Sequence, residues 1–305
     1  MLTIQQYDQW FALAGYLLIL LFFFIFIAKD FHKLSEIPKW EKTLVFLLFL
    51  LAIIAPFLII PDDTEKILMR SGKITDTFVF ILFYYIYRSR SFILQKIPAF
   101  FKLWYALSIF FFCDMIVTSV LLSGKYEFYK TLLPKLEILG INNFTFLSPI
   151  NYIIKFIFLG LFFRDILKES IWKKAFQYLI WALMVFELVM VFGFKSYQAY
   201  DSVSSTVKNF FILFGSGLFL YRFYRTDSGN LHLQKNPYFW IGIGLFLPTL
   251  TEMFMEFVFT KLFHTDIDSF FKYYLYRNAS QIIGFMLFIY GVWHAKYLKH
   301  LPKEY

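Results

Sequence analysis

The chain contains one cysteine, nine prolines and thirteen glycines in 305 residues. Cys113 stands alone in an apolar run, so an intrachain disulfide framework and a thiolate metal centre are both excluded. Pro-rich and Gly/Ser-rich linkers are missing, and nothing marks a separate soluble domain; residues 1–305 read as a single helical membrane domain. HExxH, CxxC and P-loop patterns are absent. His32, His232, His264 and His300 fall in expected loops or the tail, which leaves no intramembrane histidine pair for haem. Lys296 comes at the end of the last apolar run, where a retinal Schiff base would need mid-span lysine. Ser216 in FGSGL has no histidine at matching depth, and small residues in a span usually mark close helix packing. Gly242 and Gly244 read the same way. The expectation is of no catalytic residues, no metal and no cofactor.

Apolar and aromatic side chains dominate what is present. The chain is 59% hydrophobic and 24% aromatic, with a mean hydropathy of +0.61. Runs of roughly 15 to 20 residues with few charges recur along it, the length that crosses a bilayer core. The expected fold is therefore all-α, a polytopic transmembrane bundle. Nine spans can be drawn at about 10–28, 43–61, 74–88, 103–122, 149–163, 176–194, 206–222, 238–260 and 279–297. The third and seventh are short, and they cross only if Lys73 to Asp76 and Ser202 to Lys208 extend their helices. LLILLFFFIFIAKDFHK is followed by basic charge instead of a small-residue cleavage site, so the first span is expected to stay in the mature chain. The segment SGKYEFYKTLLPKLEILGINNFTFLSP is too short for a core of its own and reads as an interfacial helix on the outer surface.

The net charge of +9 lies in short clusters between apolar runs, not along one stripe, which argues against nucleic acid. Lys29, Lys33, Lys39 and Lys42, then Arg88, Arg90, Lys96 and Lys102, then Arg164, Lys168, Lys173 and Lys174 occupy alternate connections. Arg222, Arg225 and Lys235, and finally Lys296, Lys299 and Lys303, continue the pattern. The positive-inside rule makes these loops cytoplasmic, with the N-terminus outside and the C-terminus inside. The implied location is a bacterial inner membrane. NFT at 143–145 and NAS at 278–280 match the glycosylation pattern on expected outer loops.

Five charged residues fall deep inside these spans, away from their ends. In TLTEMFMEFVF, Glu252 and Glu256 stand at i and i+4, on one helix face, four residues beyond Pro248. A charge near a helix centre costs on the order of 2.5 to 3.5 kcal/mol on insertion scales, so that face should turn to protein or to a wet cavity. Pro248 can kink the helix and free a carbonyl nearby. Counting from the cytoplasmic side at about 1.5 Å per residue puts Asp114, Lys155 and Glu187 at roughly 12 to 17 Å depth, with Glu252 and Glu256 at about 21 and 27 Å. Lys155 and Glu187 lie on consecutive antiparallel spans and could pair directly. Glu252, Glu256, Asp114, Lys155 and Glu187 are the candidate ligand or ion site: four acids against one base. Gln281, Tyr290 and His294 could supply partners.

The C-terminal half runs from NNFTFLSPINYIIKFIFLGLFFRD through KNPYFWIGIGLFLPTLTEMF to ASQIIGFMLFIYGVWHAKY. It resembles uncharacterised multi-helix membrane proteins of Bacteroidota, some of them similar to membrane sensor portions that accompany histidine kinases. KNPYFWIGIGL after a basic stretch carries most of the likeness, and Glu252 and Glu256 depart from it. The resemblance implies a sensory or accessory module that passes its signal to a partner membrane or cytoplasmic protein. Four buried acids with one base suggest instead a proton- or cation-coupled transporter, and a structural subunit of a larger complex is the third reading. A reporter that fluoresces only in the cytoplasm, fused after Tyr305, is expected to be bright; a dark fusion in well-expressed protein would put the span count wrong by an odd number.

Overall fold

The computed structural model describes residues 3–22, 64–122, 134–141, 146–167, 170–198, 201–226 and 236–297, with a few single positions between 24 and 54. The expected span at 43–61 lies almost entirely outside them, as does NFT at 143–145. Regular structure among the described residues is helical: α1 (Ile4–Phe22), α2 (Thr64–Arg88), α3 (Arg90–Lys96), α4 (Phe100–Leu122), α5 (Leu147–Ile166), α6 (Ser170–Gly193), α7 (Ser202–Thr226), α8 (Pro237–Thr265) and α9 (Ile267–Tyr297). The interfacial segment contributes a short helical turn at 134–138, with Ile138 and Leu139 exposed.

Local chemistry sets several of these ends. Asn236 caps α8, its Oδ1 accepting the Tyr238 N–H at 3.0 Å, with Pro237 in the first turn where its missing N–H costs nothing. Asp201 caps α7 by accepting the Val203 and Ser204 N–H groups at 2.9 and 3.2 Å. Asp266 alone separates α8 from α9 and accepts from the Ser269 hydroxyl at 2.6 Å and its N–H at 3.1 Å. The Ser269 side chain, then its backbone, hold the Asp266 carboxyl below the usual carboxylate range.

Four of the described helices are long and apolar enough to cross a membrane: Leu147–Ile166, Ile171–Gly193, Ser202–Arg225 and Pro237–Val258. On α6, Ile171, Tyr178, Trp181, Val185, Leu188 and Phe192 are exposed at spacings of three, four and seven. A continuous apolar stripe of that kind suits lipid as its solvent. The opposite side of α6 packs aromatically, with Phe163, Phe176 and Phe211 joining α5, α6 and α7 at centroid distances of 5.6 to 6.3 Å.

The helices extend beyond the apolar runs at three places. α2 begins at Thr64, not near 74, because Ile67, Ser71 and Ile74 are buried on one face and the Arg70–Asp8 ion pair ties α2 to α1. α7 includes Ser202 to Lys208, as its weak apolar length required. α9 begins at Ile267, not near 279, and this corrects the reading of NAS as an outer-loop glycosylation site. Asn278 is inside α9, 3% exposed, and donates to Ser71 Oγ of α2 at 3.0 Å.

The most extensive helix pair is α8 with α9. Their backbones approach at Gly244 and Gly284: a Cβ on Gly284 would lie 2.6 Å from Pro248 Cγ and 2.7 Å from the Gly244 carbonyl oxygen. That oxygen is the one Pro248, lacking an N–H, leaves without its helical donor. The kink-prone point of α8 is thus covered by a glycine of α9. Gly284→Ala is expected to destabilise by about 1 to 3 kcal/mol through overpacking. Gly72→Ala, where a Cβ meets nothing within 4 Å, should stabilise by up to about 1 kcal/mol through helix propensity. Thermal midpoints in detergent moving the same way for both would contradict this packing.

Candidate functional site

Glu252 of α8 sits where α7 and α9 converge. Lys208 Nζ of α7 lies 3.1 Å from Glu252 Oε2, Arg277 Nη2 of α9 lies 3.4 Å from Oε1, and Gln281 Nε2 donates to Oε1 at 2.6 Å. Arg277 and Gln281 are one turn apart on α9, so both reach the same carboxylate. Lys208 is 5% exposed and its ammonium also faces the Tyr152 ring of α5 at 5.6 Å.

These groups line a cavity of about 260 Å³ between α2, α4, α5, α7, α8 and α9. Its polar lining includes Asn151, Lys155, Lys208, Glu252, Arg277 and Gln281; Leu107, Leu159, Ile212, Leu245, Phe285 and Phe288 belong to its apolar wall. Asp76 also lines it, half-exposed and 3.5 Å from Lys73. Three cations, Lys155, Lys208 and Arg277, line the cavity against two carboxylates, Glu252 and Asp76.

The expected balance of four acids against one base is therefore reversed. Arg277 was hidden from the sequence reading because it falls in a polar stretch between the apolar runs, and Lys208 because it falls at the polar end of the 206–222 span. The signal that could have found them is helical register: Arg277, Gln281, Gly284 and Phe288 recur at three and four residues, continuing one face of α9 upstream.

Each candidate residue has a definite place. Glu252 and Lys155 share the cavity. Glu256, one turn further along α8, is not part of the lining and accepts the Ser205 hydroxyl of α7 at 2.6 Å. Glu187, fully buried on α6, faces Ser204 and Asp201 at the start of α7. It makes no ion pair with Lys155 among the described residues. The reason is angular. Asn151, Lys155 and Leu159 form the cavity stripe of α5, while Gly160, whose Cβ would meet Ile180 of α6 at 2.3 Å, lies roughly 140° further round. Asp114 is on α4, but its side chain falls outside the described residues. Of the suggested helpers, Gln281 joins the site, whereas Tyr290 and His294 pair with each other at 5.8 Å away from the lining.

Two further polar clusters are separate from this cavity. Lys102 of α4 pairs with Asp165 of α5, which Arg164 also approaches at 3.1 Å while donating to Gln177 of α6 at 2.9 Å. Asp8 and Arg70 line a second cavity with Gln5, Gln9 and Ile67. No group of three or more His, Cys, Asp or Glu able to hold a metal occurs among the described residues. No family model, curated protein or solved structure matches the chain.

Removing one partner of a buried ion pair leaves the other charge uncompensated, which costs about 3 to 5 kcal/mol. Glu252→Leu is expected to lower the thermal midpoint accordingly. The double variant Glu252→Leu/Lys208→Met should recover much of the loss, and a midpoint unchanged by Glu252→Leu would remove Glu252 from the packing of the bundle.

Proposed function

We propose that the chain is a nine-span membrane module, N-terminus outside, that binds a small ligand from the outer side and passes the resulting change in helix packing to a partner protein. The observation that carries this reading is the cavity around Glu252. It joins six helices, and its polar groups are aimed inward at ligand-sized space within an apolar bundle. A ligand that contacts α2, α4, α5, α7, α8 and α9 together has differential contacts to offer two packing states. The likeness of the C-terminal half to sensor portions of Bacteroidota membrane proteins supports the relay, and the basic inner loops would present it to the partner. A proton- or cation-coupled carrier fits less well, because a cation would enter a site that already holds three positive side chains against two negative.

Gentle purification from the native host into nanodiscs, followed by mass spectrometry, tests the proposal. A small molecule retained at stoichiometric amount, together with a co-purifying protein, is expected, and Leu107→Trp should reduce the former by filling the cavity. Purified protein carrying neither, with a pH-dependent flux in reconstituted vesicles, would overturn the relay in favour of transport.

A further inference from the structure

Lys155 stands apart from the other cations of the cavity. Lys208 is ion-paired to Glu252, and Arg277 reaches the same carboxylate. Lys155 lines the cavity from α5 and makes no hydrogen bond or ion pair among the described residues. One turn earlier on the same helix, Asn151 also lines it, and its Oδ1 is buried without a hydrogen-bond partner. Lys155 is half-buried and has no counter-charge of its own, only the Glu252 carboxylate that Lys208 and Arg277 already share; a cation so weakly compensated is costly in an apolar bundle, and so is an unpaired carbonyl oxygen. Both costs vanish when a ligand supplies a negative group to one and a donor to the other.

The rest of the wall defines the body of that ligand. Leu107, Leu159, Ile212, Leu245, Phe285 and Phe288 offer hydrocarbon contact and no hydrogen bonds. We infer that the cavity takes a small organic anion with an apolar body, its negative group on the Lys155 ammonium, within reach of the Arg277 side of the site, and a hydroxyl or N–H on Asn151. Glu252 acts as the fixed counter-ion that holds Lys208 and Arg277 in place, and with Asp76 as the second carboxylate of the lining one positive charge is left in surplus for the ligand. The negative group could come from a free carboxylate or from an anionic lipid headgroup; the chemistry that recognises it is the same.

This inference rests on the cavity being a ligand site, so the test separates the two. Protein in phosphatidylcholine nanodiscs is titrated with octanoate, octanol, octylammonium and inorganic phosphate, reading thermal midpoint and Kd. Octanoate is expected to raise the midpoint and to bind most tightly, with phosphate weaker for want of an apolar body. Lys155→Met should weaken octanoate by about thirtyfold or more, the effect of losing one partner of a desolvated charge pair. The same substitution should leave the ligand-free protein at least as stable as the native one, since it removes a cation that the shared Glu252 carboxylate compensates only in part. Phosphatidylglycerol nanodiscs identify the source: weaker apparent octanoate binding there means that the headgroup competes, and unchanged binding means that the anion arrives from solution; both support the assignment.

Octylammonium binding as tightly as octanoate, or octanoate binding to Lys155→Met as well as to the native protein, would overturn the anion. If Leu107→Trp abolished that octylammonium or octanol binding, the ligand site would stand and only its chemistry would fall. Failure of all four probes, with no molecule retained on purification, would remove both. Should Lys155→Met not assemble, the ranking of octanoate against octylammonium on the native protein decides the question.

Discussion

The carboxylate of Glu252 is the constraint on which the arrangement of α7, α8 and α9 depends. Inside an apolar bundle its charge has to be balanced locally, because neither water nor hydrocarbon can do it. Lys208 from one side and Arg277 with Gln281 from the other supply that balance. The requirement fixes more than a pair. It sets the rotation of three helices about their axes, since α7 must present Lys208, and α9 both Arg277 and Gln281, to the two oxygen atoms that α8 carries. Hydrophobic packing is non-directional and would tolerate several such rotations; the ion cluster selects one.

Backbone chemistry supports that selection. Pro248 lies one turn before Glu252 and removes the donor that would have occupied the Gly244 carbonyl. Gly284 of α9 covers the exposed oxygen closely, and Gln281, one turn before Gly284 in the α9 sequence, reaches Glu252. Thr251 and Ser280 add a hydroxyl contact at 3.1 Å across the same interface. The polar face of α8 and the small-residue face of α9 are consequently one surface, in which close approach brings the donors within reach of the acceptor.

The helical class and the inward face of Glu252 were legible in the sequence because both follow from apolar run length and from the cost of intramembrane charge. Lys155 was legible for the same reason. Its surroundings were not: Glu187 was expected at a matching depth, but depth carries no information about rotation, and the two side chains leave α5 and α6 in different directions. Arg277 and Asn278, and Lys208 at the polar edge of its span, were obscured by a different effect. Span drawing follows hydropathy, whereas these helices continue through polar turns whose side chains are paired to neighbouring helices instead of solvated. The polarity that ended a span on paper is what holds α2, α7, α8 and α9 together.

Asp266 is the entire connection between α8 and α9, whose 29 and 31 residues make each helix about 44 to 46 Å long. A bilayer core is about 30 Å thick, so each rod is longer than the hydrocarbon that a helix such as α8 has to cross. With so short a bend at one end and interlocked glycines partway along, the two rods cannot piston past one another. Any rearrangement in the middle of the bundle must therefore appear as a tilt of both rods together, magnified at their tips.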